Sequence, residues 1–334
     1  MKRTAFLIVA TLLAGLCWTG CNKSGKLNET SKFPVPSGPV ELKLKWPVGQ
    51  RAIQNLEVKM NMEITGPVLP GPIKQDMILG EKYGLHVISA DGLGGHEIEM
   101  EFQAMRLKLD QGGKTLVDYD SDAKSSEGSK NPELAAMQKT FEKVVGARLL
   151  YFLDASNQVQ RIEGMDALTS QVSAGGRSDA ASSMKSMFSE ESLKQMISGQ
   201  HLPPKPVQPG DSWPEKMDIA MGELGTMSMD YTFTFVRWET HGKRTCARLE
   251  FQGNMKSKAN PAASGTGMTF NVQNGESSGV SWFDPELGMV VDTTMNQDLN
   301  LNMSVPMPGR GKNATQTLTN VMKQVINMKV DSVK

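Results

Sequence analysis

The chain of 334 residues lacks several features that would assign it to common functional classes. Lys and Arg together number 36, as do Asp and Glu, and no basic block stands out, so we expect no nucleic-acid partner. No phosphate-binding loop or dinucleotide fingerprint is present, and the four histidines are scattered rather than set at metal-ligand spacing. The sequence therefore predicts no cofactor and no histidine-based metal site.

Long apolar runs are equally scarce. The N-terminal run, residues 5–17, follows the basic pair Lys2-Arg3 and is too short to cross a bilayer, which is typical of an export signal. No later segment approaches the ~20 apolar residues of a membrane helix. If the protein is held at a membrane, we expect a lipid rather than a spanning helix to hold it.

The signal ends in a motif that resembles the lipobox of bacterial lipoproteins, Trp18-Thr19-Gly20-Cys21. That motif usually has Leu where Trp18 stands here. The resemblance implies that signal peptidase cuts before Cys21 and that Cys21 is acylated, which places the protein in the bacterial cell envelope. Ordinary secretion with cleavage nearby is the alternative.

Cysteine is also rare, with three in the chain. Because Cys17 would leave with the signal and Cys21 would carry lipid, the mature chain keeps only Cys246 and cannot form an intramolecular disulfide. Cys246 lies in an alternating segment, residues 245–251, and we interpret it as a small apolar core residue rather than a nucleophile.

Composition divides the chain into four segments. Residues 1–20 are the signal peptide, and residues 21–40, rich in Lys, Ser, Gly and Pro, are predicted to be a lipidated flexible tether. A first β repeat with a helical insertion follows at 41–200, and a second β repeat at 201–334. Their boundary is rich in proline, which excludes both a helix and a central strand there.

Both repeats contain strands in which apolar and polar residues alternate. Residues 56–64, 98–104 and 227–235 follow this pattern, and a period of two predicts an antiparallel sheet with one dry face. A phase slip at Ala104-Met105 predicts a β-bulge. The predicted fold class is mainly β: two repeats of curved, half-barrel-like antiparallel sheet with a few helices between or across them.

Two helices are predicted from their capping residues, their terminal glycines and their apolar stripes. The first runs from a cap at Asn131 to Gly146, and the second from a cap at Ser189 to Gly199. The small polar residues between 164 and 189 predict a segment without regular structure.

Four stretches carry a resemblance to a known family: residues 42–49, 56–64, 202–213 and 279–288. With the lipobox, they look like a domain-of-unknown-function family of bacterial lipoproteins, which brings no established activity or site residues. At the level of fold, the pattern is similar to the half-barrel lipoprotein carriers (LolA/LolB-like), which hold acyl chains in an apolar concavity. That second resemblance implies an apolar concave face here.

The dry face is the candidate ligand site. The chain has 23 methionines, and Met forms adaptable apolar binding surfaces as well as irregular cores. We predict that the residues lining this face are Met60, Met62, Phe102, Met229 and Phe233. Binding of an acyl chain or other apolar ligand and a purely structural core are both open.

Two further chemistries are alternatives. The pairs Met60/Met62 and Met227/Met229 could each present two thioethers on one strand face, which suits Cu(I). Residues 275–279 match the G-x-S-x-G elbow of serine hydrolases, with Ser277 as the nucleophile. The elbow needs a helix after the serine, whereas Val280 begins a predicted strand, so we interpret the motif as a Gly/Ser loop.

The function predicted from the sequence is that of a lipid-anchored, non-enzymatic envelope protein. It would face the periplasm, at the outer rather than the inner membrane, and either bind an apolar ligand or serve a structural role. Its expected partners are the membrane, through the lipid on Cys21, and an apolar small molecule or lipid.

Overall fold

A computed structural model describes residues 26–123, 132–173, 188–190, 193–194, 197, 202–220, 226–258, 269–306 and 315–334. In these residues one open antiparallel sheet of twelve strands dominates, which confirms the prediction of a mainly β fold. The strands of the first half are β1 (Arg51–Thr65), β2 (Ile73–Ala90), β3 (His96–Gln111), β4 (Lys114–Asp120), β5 (Arg148–Leu153) and β6 (Val159–Glu163). Those of the second half are β7 (Ser212–Ala220), β8 (Thr226–His241), β9 (Arg244–Lys258), β10 (Thr269–Asp284), β11 (Met289–Pro306) and β12 (Thr315–Val333).

The two halves share a single sheet. Across it the strands run from β7 to β12 in chain order, and then continue through β1, β2, β3, β5 and β6, with β4 paired to β3 outside this path. The pairing of β1 with β12, from Ala52 opposite Val333 to Thr65 opposite Thr319, joins the halves. The predicted repeats therefore lie side by side in one continuous sheet.

Matching hydrogen bonds lie at the start of each half. The Gly49 amide donates to Val87 O at 2.8 Å, and the Gly210 amide donates to Phe235 O at 2.7 Å. Both glycines have positive φ, 86° and 98°, which favours glycine at these turns. The match supports the two-repeat interpretation, which stays a prediction.

The inner face of the sheet is buried along its length. Every strand of eleven or more residues alternates buried with more exposed positions, and the buried side chains form one large core cluster that extends across both halves. The predicted bulge is confirmed, since Phe102 pairs with Tyr83 and Ala104 with Lys82, leaving Gln103 as the extra residue. This extra residue is why both Ala104 and Met105 are buried.

Helices cover part of the inner face. The first predicted helix is confirmed as α1 (Pro132–Val144), whose Phe141 stacks on Tyr119 of β4 at 6.4 Å between ring centroids. A second helix, α2 (Met165–Ser173), lies where no regular structure was predicted, and it buries Leu168 and Val172. The helix predicted at 189–199 lies largely outside the described residues, although Leu193 and Ile197 are buried. No helix in the described part of the chain is long and apolar enough to span a membrane.

The N-terminal segment crosses one end of the sheet, which we call the proximal end. It is the end at which β1, β9 and β11 begin and at which the turns 91–95 and 284–288 lie. A 3-10 helix (Lys26–Asn28) starts the segment, and its backbone then bonds to Lys243, Val207 and Gly288 in turn. Leu42 and Trp46, in the later part of the same segment, are buried. Residues 26–40, predicted to be part of a flexible tether, are therefore bonded to the sheet: the tether prediction is wrong for this stretch.

An ion-pair network fastens this segment. Arg244, the first residue of β9, is 4% exposed, and its Nε lies 2.5 Å from Asp284 Oδ2. The guanidinium also contacts Glu286 Oε2 at 2.9 Å and donates to the backbone oxygens of Lys26 and Glu29. Asp284 is fully buried and accepts the amides of Glu286 and Leu287. We call Arg244, Asp284 and Glu286 the clamp.

Breaking the clamp should be costly, because Asp284 would keep a buried charge without its cation. We expect Arg244→Met to lower the free energy of unfolding by about 3–5 kcal/mol in urea titrations. The matched control is Arg161→Met, since Arg161 pairs with Glu163 at the surface, and there we expect a loss below about 1 kcal/mol. Equal small losses in both variants would contradict the role of the clamp.

Candidate functional site

All five residues predicted to line the dry face lie on the inner face of the sheet. None is more than 5% exposed, and all belong to the core cluster. They are spread over both halves: Met60 and Met62 are on β1, Phe102 is on β3, and Met229 and Phe233 are on β8. The sequence thus placed them on the correct face, but the structure does not gather them into one group.

Aromatic rings pack differently in the two halves. Phe102 meets Phe188 edge to face, with centroids 5.6 Å apart. In the second half Phe233 packs between Trp213, at 5.9 Å, and Phe251, at 5.1 Å, and Tyr231 lies 5.9 Å from both Phe233 and Phe251. The second half therefore has the denser aromatic surface.

A row of polar side chains crosses this apolar surface. Gln324 of β12 is paired with Gln297 of β11, which is paired with Ser277 of β10. Across Gly253 of β9, the row continues to Tyr231 of β8, whose hydroxyl lies 3.3 Å from Ser277 Oγ. We call Gln324, Gln297, Ser277 and Tyr231 the polar row. It was not predicted from the sequence.

The polar row is only partly satisfied within the protein. Gln297 and Gln324 are each 2% exposed, and the Oε1 atom of each has no hydrogen-bond partner. The Gln297 amide group lies 3.1 Å from Met295 Sδ, a weak acceptor. An unpaired buried amide group costs about 1–3 kcal/mol. Two neighbouring carboxamides with free oxygens are therefore suited to receive hydrogen-bond donors.

The G-x-S-x-G motif has a packing role. Residues 275–279 lie inside β10 rather than in the predicted loop, and no helix follows Ser277, so the elbow geometry is absent. A Cβ on Gly279 would lie 2.3 Å from Phe251 Cζ, and one on Gly275 would lie 2.7 Å from Met255 Cβ. The glycines thus leave space for side chains that lie flat on the sheet.

In the structure the methionines of the predicted thioether pairs also have other close neighbours. Met60 and Met62 share the inner face but lie opposite Gln324 and Met322 of β12, respectively. The sulfurs of Met229 and Met295 both lie near the Tyr231 hydroxyl, at 3.3 and 3.9 Å. Among the described residues, no cluster of three or more His, Cys, Asp or Glu side chains is arranged to hold a metal.

Cys246 is fully buried, and burial raises the pKa of its thiol. A raised thiol pKa disfavours the thiolate, which is the reactive form. The interpretation of Cys246 as a core residue agrees with this environment.

A groove of about 450 Å³ lies on the outer face of β8 to β11. Its lining is polar and includes Asp230, Gln252, Glu276 and Asp298. Two of these carboxylates face lysines, since Lys256 lies 3.4 Å from Asp230 and Lys323 lies 3.8 Å from Asp298. The groove is an open polar surface and differs in chemistry from the inner face.

Glu81 is a second polar group on the inner face that the sequence analysis missed. It lies on β2 opposite Leu56 and Met105, is 7% exposed, and burial raises its pKa to about 7. Burial disfavours the carboxylate, so the folded protein holds the proton more tightly than the unfolded chain does.

The raised pKa of Glu81 predicts a pH-dependent stability. The stabilisation is complete below the ordinary pKa of 4.5 and is lost as the pH rises through about 7. We expect Glu81→Gln to remove this loss, so that its free energy of unfolding relative to the wild type rises by about 3 kcal/mol between pH 4 and pH 8.

The control is Glu63→Gln on β1, because Glu63 is 44% exposed and lies 3.6 Å from Lys74. Its relative stability should change by less than about 1 kcal/mol over the same pH range. A pH-independent difference for Glu81→Gln would show that the Glu81 carboxyl is solvated.

Comparisons with known structures give weak likenesses. A chain of lipovitellin, described in terms of lipid–protein interactions, has a TM-score of 0.41 at 8% identity; the match covers 87% of this chain but only 26% of that one. A protein from Bacteroides fragilis described as exported and YmcC-like has a TM-score of 0.29 at 11% identity, covering 88% and 100%. A protein from Parabacteroides distasonis described as a lipoprotein has a TM-score of 0.28 at 9% identity, covering 88% and 99%. TM-scores this low give no basis for transferring a ligand or an activity.

Sequence comparison is more informative about the family. No curated protein sequence matches the chain. The sequence profile of one family matches residues 94–290, which is more than half of the chain and includes strands of both halves. The resemblance to a domain-of-unknown-function family is thereby confirmed, and the chain belongs to the family of unknown function DUF6263.

Proposed function

We propose that this protein is a lipid-anchored, non-enzymatic protein of the bacterial cell envelope that binds an amphipathic lipid on the inner face of its sheet. The observation that carries the proposal is the pair of unpartnered carboxamide oxygens, Oε1 of Gln297 and Oε1 of Gln324, in the middle of a methionine-rich apolar surface. Methionine side chains change conformation readily, so the side chains on such a surface can move apart to admit an acyl chain.

The polar row defines the ligand more closely than the apolar surface does. An acyl chain alone would leave both carboxamide oxygens unpaired, at a cost of about 1–3 kcal/mol each. A lipid with a hydroxyl or amide N–H group beside its chain would donate to them while its chain contacts Met60, Met229 and Met295. We therefore expect a lipid with hydrogen-bond donors near its acyl chain rather than a plain hydrocarbon.

The envelope location rests on the N-terminal sequence. The export signal and the lipobox-like residues 18–21 support acylation of Cys21, with the protein facing the periplasm, at the outer rather than the inner membrane. The protein would then stay attached to the membrane, and the membrane could supply the lipid ligand.

A structural role in the envelope is the second candidate. The full burial of the five predicted lining residues favours it, because a closed core needs no ligand. A hydrolase has less support, since Ser277 is 4% exposed and its hydroxyl partner is Tyr231 rather than a base.

The first test is native mass spectrometry of residues 22–334, expressed without the signal and without Cys21, before and after solvent extraction. We expect a co-purifying lipid that extraction removes and that tandem fragmentation identifies as a hydroxyl- or amide-bearing lipid. A bare protein mass in both samples would contradict ligand binding and favour the structural role.

A double variant separates binding from packing. We expect Gln297→Leu with Gln324→Leu to raise the free energy of unfolding of the ligand-free protein by about 1–3 kcal/mol, because two buried carboxamide oxygens without partners are removed, and to lower lipid occupancy. The control is Gln252→Leu, since Gln252 is exposed on the outer face. Unchanged occupancy in the double variant would contradict the role of the polar row.

A further inference from the structure

The proximal end of the sheet carries exposed apolar side chains. Leu93, at the tip of the β2–β3 turn, is 89% exposed, Val48 is 58% exposed, and Ile88 is 40% exposed. Scattered single apolar residues are ordinary on a protein surface. These three, however, lie on neighbouring elements of one end, and we call them the apolar tip.

Local structure holds each member of the apolar tip outward. Asp91 Oδ1 accepts the amides of Leu93 and Gly95 at 2.8 and 2.7 Å, which fixes the turn beneath Leu93. Ile88 is the extra residue of a bulge, because Val87 pairs with Ile98 and Ser89 with Glu97. Ile88 also follows the buried Leu85 and Val87 on the outward phase of β2, so its side chain lies at the surface.

Val48 is tied to the same part of the sheet. It lies in a turn in which the Gln50 amide donates to Pro47 O at 2.9 Å. The Gly49 amide then donates to Val87 O at 2.8 Å, next to Ile88. The three side chains thus belong to hydrogen-bonded neighbours rather than to independent loops.

The chain leaves the fold at this same end. Lys26 O accepts from Arg244 Nη1 at 3.3 Å, so the clamp fixes the start of the described chain at the proximal end. Four residues lie between Cys21 and Lys26, and the five steps along the chain from one to the other reach at most about 17 Å. β1 alone has 15 residues and spans about 50 Å, so a sheet that stood on its distal end, with the turn at 66–72, would hold Lys26 beyond the reach of a lipid on Cys21.

Charges at this end are mixed. Lys43 forms an ion pair with Glu41 at 2.5 Å, and Glu286 faces Arg244 in the clamp. Attraction to a membrane here would come from apolar contact rather than from a basic surface.

From these observations we propose that the proximal end docks on the lipid bilayer, with Leu93, Val48 and Ile88 inserted at its surface. The proposal rests on the lipid anchor of the proposed function and adds the orientation of the sheet. The strands then stand away from the membrane, and the distal end points into the periplasm.

The test uses the full chain, processed and lipidated in cells and reconstituted in phosphatidylcholine vesicles with brominated acyl chains. A polarity-sensitive dye is attached at Leu93→Cys or, as the matched control, at Val68→Cys, since Val68 is 52% exposed in the distal turn. Cys246 is fully buried, which limits competing labelling. We expect bromine quenching and a blue shift at position 93 and neither at position 68. Equal signals, or a signal at position 68 alone, would overturn the orientation.

A second measurement separates docking from lipidation. The mass of the N-terminal peptide reports acylation of Cys21, so a chain without acyl groups would contradict the anchor and not the docking surface. In protein of residues 22–334, which has neither the signal nor Cys21, Leu93→Asp should weaken partition onto the same vesicles by about tenfold, with little dependence on salt, whereas Val68→Asp should leave it unchanged. An equal effect of both substitutions, or none, would overturn docking through the apolar tip.

Discussion

The structure depends on keeping one face of a twelve-strand sheet dry. Alternation along each strand places apolar side chains on that face, and the pairing of β1 with β12 makes the surface continuous across both halves. Any polar group that lies on it must find a partner or lower the stability of the fold. Gln297, Gln324 and Glu81 are significant for this reason, because they lie where leucine or methionine would be better accommodated.

The proximal end of the sheet both closes the interior and holds the N-terminal segment. At the proximal end the clamp and the buried Leu42 and Trp46 seal the interior, and the same contacts fix where the chain leaves the fold. A lipid on Cys21 would therefore set both the distance and the direction of the sheet relative to the membrane. In the function we propose, the proximal end would rest at the bilayer and the inner face would hold a lipid taken from it.

Much of the fold could be predicted from the sequence because period-two alternation is a strong signal. Residues 56–64 and 227–235 were assigned to the correct face, and the bulge near Ala104 was evident from the change of phase.

The polar row could not be predicted. In β12 apolar residues occupy both phases, with Val321 and Val325 on the exposed side, so the alternation does not reveal that Gln324 points inward. Helix α2 was missed because its small polar neighbours masked the spacing of Met165, Leu168 and Val172. The bonds of residues 26–40 depend on partners more than 160 residues away in the sequence, which composition cannot show.

The central claim is that a lipid lies on the inner face beside the polar row. Photo-crosslinking with a hydroxyl-bearing acyl chain that carries a diazirine, followed by peptide mapping, tests it most directly. The account predicts crosslinks to inner-face residues of β8, β11 and β12, around Met229, Met295 and Met322. Crosslinks confined to outer-face residues, or none above those of a denatured control, would contradict it.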